Sequence, residues 1–140
     1  MENEPTYLPS KGNLAAEIAA GTYTKIVGIY GPSEAGAGET VNIDVAVKNT
    51  WTGSFYVTVT GRYDGANITP SVDYLNIGPG KTVHFYFDFT MPNKDITLDV
   101  WSFFWAEPKW IEDDHMTVDI DLATLEPAFR GFGVTDYSQK

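Results

Sequence analysis

Val41-Asn42-Ile43-Asp44-Val45-Ala46-Val47-Lys48, then Asn49-Thr50-Trp51-Thr52-Gly53, then Phe55-Tyr56-Val57-Thr58-Val59-Thr60, decide how this chain folds. In the first piece Val41, Ile43, Val45 and Val47 alternate with Asn42, Asp44, Ala46 and Lys48. In the last, Phe55, Val57 and Val59 alternate with Tyr56, Thr58 and Thr60. Successive side chains of an extended strand point to opposite faces, so each piece has one face for apolar material and one for water. With a polar, glycine-containing turn between them, the two pieces read as a hairpin of half-buried strands.

The same period of two runs outward from this hairpin. Upstream, residues 23–30 read as a strand, followed by a Gly/Pro-rich connection over residues 31–39. Downstream, the second hairpin strand ends near Tyr63, and Asp64-Gly65 is a turn dipeptide. Pro70 restricts the next segment to a sheet edge or a strand start, so residues 71–77 read as a short edge strand before the turn Gly78-Pro79-Gly80-Lys81. Val83, Phe85, Phe87 and Phe89 then alternate with His84, Tyr86 and Asp88. After a break at residues 91–95, Ile96, Leu98 and Val100 alternate with Thr97, Asp99 and Trp101, and the strand continues to Trp105. Glu107-Pro108-Lys109 turns the chain, and Met116, Val118, Ile120 and Leu122 close the pattern. About seven strands at short, regular spacing with no helical period between them point to an all-β, antiparallel β-sandwich. A closed barrel has the same local pattern and is the alternative.

The chain has 140 residues, enough for one domain with a sizeable core. It contains no cysteine, so neither disulfides nor thiolate metal sites contribute. A net charge of −10 disfavours nucleic acid and anionic membrane surfaces as partners and favours solubility. The acidic opening Met1-Glu2-Asn3-Glu4-Pro5 is the reverse of a signal peptide, and no apolar run approaches the roughly 20 residues of a membrane span. The expected location is a virion, released by lysis without a cleaved signal, with an extracellular or cell-surface location as the alternative.

Residues 1–22 form an N-terminal arm in this reading, residues 23–122 the sandwich, and residues 123–140 a C-terminal arm. In the first arm Asn13 is placed to cap a short helix over residues 14–20 that Gly21 stops. In the second, Leu125-Glu126-Pro127 looks like a linker, and Phe129, Phe132, Val134 and Tyr137 mark a candidate extra strand. A lone apolar strand needs a partner, either its own sheet or a neighbouring subunit.

Several stretches resemble a known family: Pro32 followed by Gly38-Glu39-Thr40-Val41, then Val45-Ala46-Val47-Lys48-Asn49-Thr50, then Asn76-Ile77-Gly78-Pro79-Gly80-Lys81-Thr82. Over roughly residues 25–122 the chain is similar to the bacterial and archaeal cell-adhesion-related (CARDB-like) domain. The resemblance implies a seven-stranded immunoglobulin-like or fibronectin-like sandwich, a non-enzymatic adhesive or spacer role, and no catalytic residues. Trp51 departs from it, interrupting a turn where the family favours small residues.

The densest acidic group is Glu112-Asp113-Asp114-His115 with Asp119 and Asp121. It offers calcium several carboxylates but lacks the EF-hand spacing, and a charge run in a turn is usually a solvated one. His84 and His115 are the only histidines, and nothing in their spacing brings them together as zinc ligands. No acid pair is flanked by a nucleophile, a phosphate loop or a glycosidase motif, so neither an enzyme nor a cofactor is expected.

The aromatic residues carry more information. Trp101, Phe103 and Trp105 share one face of a strand whose other face carries Ile96, Leu98, Val100 and Phe104. With the aliphatic side inside, the three rings point outward, with Tyr56 on the same sheet and Trp110 in the following turn as a further anchor. An outward aromatic patch marks an interface or binding platform. Coverage by the arms, or a bulge that turns part of the patch inward, would remove it. The expected function is therefore that of a structural or interaction protein. It would be a virion accessory of the capsid-decoration type, a homo-oligomer joined through its arms to a capsid or other surface lattice. The alternative is a carbohydrate-binding or adhesion module whose rings hold a glycan.

Overall fold

The computed structural model describes residues 20–124. Nine strands alternate with short turns: β1 (Thr24–Tyr30), β2 (Glu34–Ala35), β3 (Thr40–Asn49), β4 (Phe55–Tyr63), β5 (Ala66–Ile68), β6 (Leu75–Ile77), β7 (Thr82–Thr90), β8 (Ile96–Ala106) and β9 (Lys109–Leu122). They form two sheets, ordered β1-β3-β7 and β2-β9-β8-β4-β5, with β6 pairing another part of β4. Both sheets are open, so the molecule is a sandwich rather than a barrel. Every pairing is antiparallel except that of β2, which crosses to the larger sheet and runs parallel to β9.

The organising stretch folds as its alternation dictates. Val41, Ile43, Val45 and Val47 of β3 face Phe89, Phe87, Phe85 and Val83 of β7 in register. Cross-strand rows of aliphatic against aromatic side chains are the stabilising units of a sheet. Val57 and Val59 of β4, Leu98 and Val100 of β8 and Ile120 of β9 meet them from the other layer, all without solvent exposure. Burying Phe85 and Phe87 contributes about 2–3 kcal/mol each. A smaller cluster of Tyr23, Phe104 and Ile111 closes one end of the sandwich. Trp51 packs there, its ring 4.5 Å from that of Tyr23. The residue out of keeping with the family's turn is therefore a lid on this second cluster.

Four features differ from the sequence expectation. The edge strand expected over residues 71–77 is paired only over Leu75–Ile77; Ser71 instead donates its N–H to the Tyr86 carbonyl at 2.9 Å. A separate strand, β5, returns immediately after Asp64-Gly65, whose φ angles of 52° and 81° are those of a tight hairpin turn with two left-handed residues. The Gly/Pro-rich connection contains the short strand β2. Finally, β9 begins at Lys109, not at Met116, and passes straight through the acidic run. Of the helix expected over residues 14–20 in the first arm, only Ala20 falls within the described residues.

Candidate functional site

β8 settles which side of its alternation is inside. Ile96, Leu98, Val100 and Phe104 are buried, and so is Ser102. Trp101, Phe103 and Trp105 lie on the outer face, each half-buried. The β8–β9 hairpin sets Trp105 directly opposite Trp110. Their rings meet edge to face at 5.2 Å and 69°. Tyr74, just before β6, lies 6.1 Å from Trp110, and Tyr56 of β4 meets Tyr74 at 5.1 Å and 75°. Tyr56, Tyr74 and Trp110 are all exposed. Four rings from three parts of the chain thus form one continuous strip at one end of the larger sheet's outer face.

Trp101 and Phe103 belong to the same face but not to this strip. Trp101 stacks on His115, its cross-strand partner, at 4.8 Å and 13°. His115 Nε2 is 3.0 Å from Asp99 Oδ1, which fixes the imidazole over the indole. Phe103 lies between Thr58 and Glu112 in the register. Tyr74 was not singled out by the sequence. Its signal was an aromatic residue in a Pro-interrupted edge segment, which alternation alone does not assign to a face. Phe129, Phe132, Val134 and Tyr137 lie outside the described residues.

The acidic run is not a turn. Between the Trp101–His115 and Phe103–Glu112 pairs, β9 places Asp113 and Asp114 against the single residue Ser102. This β-bulge changes the parity of the strand, so Ile111 and Asp113 point inward before it and Val118 and Ile120 after it. Asp113 is 8% exposed, and its carboxylate accepts from Gly21 N at 3.2 Å, Tyr23 N at 2.9 Å, Thr24 N, and Thr24 Oγ1 at 2.9 Å. Asp114 Oδ2 accepts from Ile26 N at 2.8 Å. Ser102 Oγ accepts from Asp114 N at 3.0 Å and lies 2.7 Å from Thr24 Oγ1. Burial pushes the Asp113 carboxyl above its ordinary value even though these hydrogen bonds pull it down. Burial, and then the Asp113 charge, raise the Tyr23 phenol. Two carboxylates of the acidic group weighed for calcium, Asp113 and Asp114, thus bind the main chain of β1 and the residues just before it.

The two histidines sit on different sheets. His84 of β7 lies on the smaller sheet with its Nδ1 2.7 Å from Asp44 Oδ1. Among the described residues no group of three or more His, Asp or Glu is placed to hold a metal ion.

No family model matches the chain, and no curated protein matches it. Solved structures do. The CARDB domain of a Pyrococcus furiosus protein, solved in complex with di-metal ions, is 18% identical with a TM-score of 0.53, over 72% of this chain and 94% of that one. A chain from the human seminal-plasma complex of zinc 2-glycoprotein and prolactin inducible protein is 11% identical with a TM-score of 0.52, over 71% of this chain and 97% of that one. A cycloisomaltooligosaccharide glucanotransferase from Paenibacillus sp. is 18% identical with a TM-score of 0.50, but this chain, 75% of it covered, spans only 15% of the enzyme. At these identities the likeness is one of fold alone: an immunoglobulin-like β-sandwich.

Proposed function

We propose that this protein is a non-enzymatic interaction module that docks a protein partner through the aromatic end of its larger sheet, with a second copy of the chain as the first partner. The observation that carries this reading is the continuous strip Tyr56, Tyr74, Trp110 and Trp105 on an outer face. Aromatic side chains give a large contact area for little lost rotamer freedom and are enriched at the centres of protein interfaces. Ring orientation separates this reading from the glycan alternative. A stacking platform presents ring faces in one plane, whereas these rings meet at 75°, 48° and 69°. Each covers part of its neighbour, and the strip offers edges and a ridge more than a flat floor. The capsid-decoration role drawn from the sequence rests on the two arms, whereas the docking proposed here rests on the sandwich.

Sedimentation velocity of the full chain from micromolar to millimolar concentration tests it. The expected result is a concentration-dependent rise in mass that a Tyr74→Ala/Trp110→Ala double variant abolishes. A monomer throughout, with tryptophan fluorescence that responds saturably to a neutral oligosaccharide, would overturn the proposal in favour of a glycan site.

A further inference from the structure

The smaller sheet carries a different surface on the opposite side of the molecule. Tyr30 of β1 pairs with Asp44 of β3, and Asp44 pairs with Tyr86 of β7, so the three residues form one row across the sheet. Adjacent strands are about 4.8 Å apart, which places the two tyrosine Cα atoms roughly 10 Å apart with the carboxylate between them. In the next row Asn42 faces Asp88. These two rows border a groove of about 340 Å³ whose floor is the main chain of the Ile43–Phe87 pair, the side chains of which face the core.

The ring positions leave the groove open. Gly28 lies beneath the tip of the Tyr30 ring, and a Cβ at that glycine would sit 2.2 Å from Tyr30 Oη. Tyr86 stands beside His84 with the two rings 16° from parallel. Tyr30 is 56% exposed and Tyr86 52%. The lining side chains are two phenols, two carboxylates and one amide, with no lysine or arginine. Asp44 Oδ1 is engaged by His84. The Asn42 and Asp88 side chains have no hydrogen-bond or ion-pair partner among the described residues.

We infer that this groove binds the guanidinium group of an arginine side chain on a partner polypeptide. A guanidinium is planar, stacks on aromatic faces and donates a fork of N–H bonds to carboxylates. The row Tyr30–Asp44–Tyr86 offers rings on both sides of a carboxylate, and Asp88 and the Asn42 carbonyl supply further acceptors. The chain's net charge of −10 draws a basic segment toward the site and is unfavourable to an acidic one. This site is independent of the aromatic strip, since the two lie on different sheets.

The test is an NMR titration of the full chain with the peptide acetyl-Gly-Arg-Gly-amide and, separately, with its citrulline counterpart, which keeps the shape and loses the charge. The arginine peptide is expected to shift the Tyr30, Asp44, Tyr86 and Asp88 resonances saturably, and the citrulline peptide to leave them in place. Asp88→Asn, at an exposed position, should weaken binding about fivefold, the upper end for a solvent-exposed charge pair. Tyr86→Phe should retain binding and Tyr86→Ala should lose it. Equal shifts at the acidic residues of the other sheet would reduce the effect to general charge attraction and overturn the proposal. So would saturation by the citrulline peptide, or by a neutral oligosaccharide in its place.

Discussion

Thr24 Oγ1 and Ser102 Oγ lie 2.7 Å apart in the seam between the two sheets, and neither residue has any solvent exposure. Their partners fix the direction of every proton. The Thr24 hydroxyl donates to the Asp113 carboxylate, so it accepts from the Ser102 hydroxyl, which in turn accepts from Asp114 N–H. The chain has one donor order and no unpaired member. Ser102→Ala leaves the Asp114 N–H without its acceptor in a half-buried site. It should lower stability by about 1–3 kcal/mol, seen as a lower urea midpoint at unchanged slope.

The end of that relay sets a pH dependence. Asp113 holds its proton more tightly in the folded protein than in the unfolded chain, where its value is near 3.8. The stability linked to it is therefore fully present below the unfolded value and is lost as pH rises through the folded one. Asp113→Asn removes this slope, and its Nδ2 meets the Gly21 N–H donor to donor. Wild type should gain on the variant as pH falls from neutrality toward that unfolded value, in parallel urea melts of the two proteins.

Asn49 pins two turns at once. Its Nδ2 donates to the carbonyls of Gly53 and Ile77 at 2.8 and 3.0 Å, and its Oδ1 accepts from Trp51 N at 2.8 Å. It is fully buried. Asn49→Ala strands these groups and should destabilise by about 2–4 kcal/mol, measured by thermal or urea unfolding.

Phe104 and Trp110 separate folding from docking. Phe104→Ala opens a cavity in the end cluster and should lower stability by about 3–5 kcal/mol. Trp110 is 36% exposed, and Trp110→Ala should stay within about 1 kcal/mol of wild type while weakening self-association. Unfolding and sedimentation run on both variants distinguish the two effects.

Period-two reading found seven of the nine strands because Val41 to Val47 and Val83 to Phe89 bury one face and wet the other. For β8 it separates an aliphatic from an aromatic face but leaves open which of the two is inside, because both are apolar. It did not find the start of β9, because Asp113 and Asp114 break the alternation with an extra residue, and polar residues pointing inward look like a turn. Nor did it find Tyr74 or the Tyr30–Asp44–Tyr86 row. Those depend on which strands become neighbours, and alternation within one strand carries no register with the next.

Gly28 offers a fourth check on the groove. A methyl group there collides with the end of the exposed Tyr30 ring, which must shift to admit it. Gly28→Ala should leave the thermal midpoint within a few degrees, move the Tyr30 ring resonances, and weaken the arginine peptide more than the loss of one exposed charge pair would.

The Asp113 and Asp114 carboxylates have one further effect. An outermost strand presents unpaired N–H groups that can template another chain, the first step of sheet-to-sheet polymerisation. On β1 the N–H groups of Thr24 and Ile26 are already taken by these two side chains, which stand where the carbonyls of an added strand would be. The bulge in β9 therefore acts as a chain terminator for this side of the sheet. At Thr24 and Ile26 an incoming strand would meet carboxylates in place of free donors.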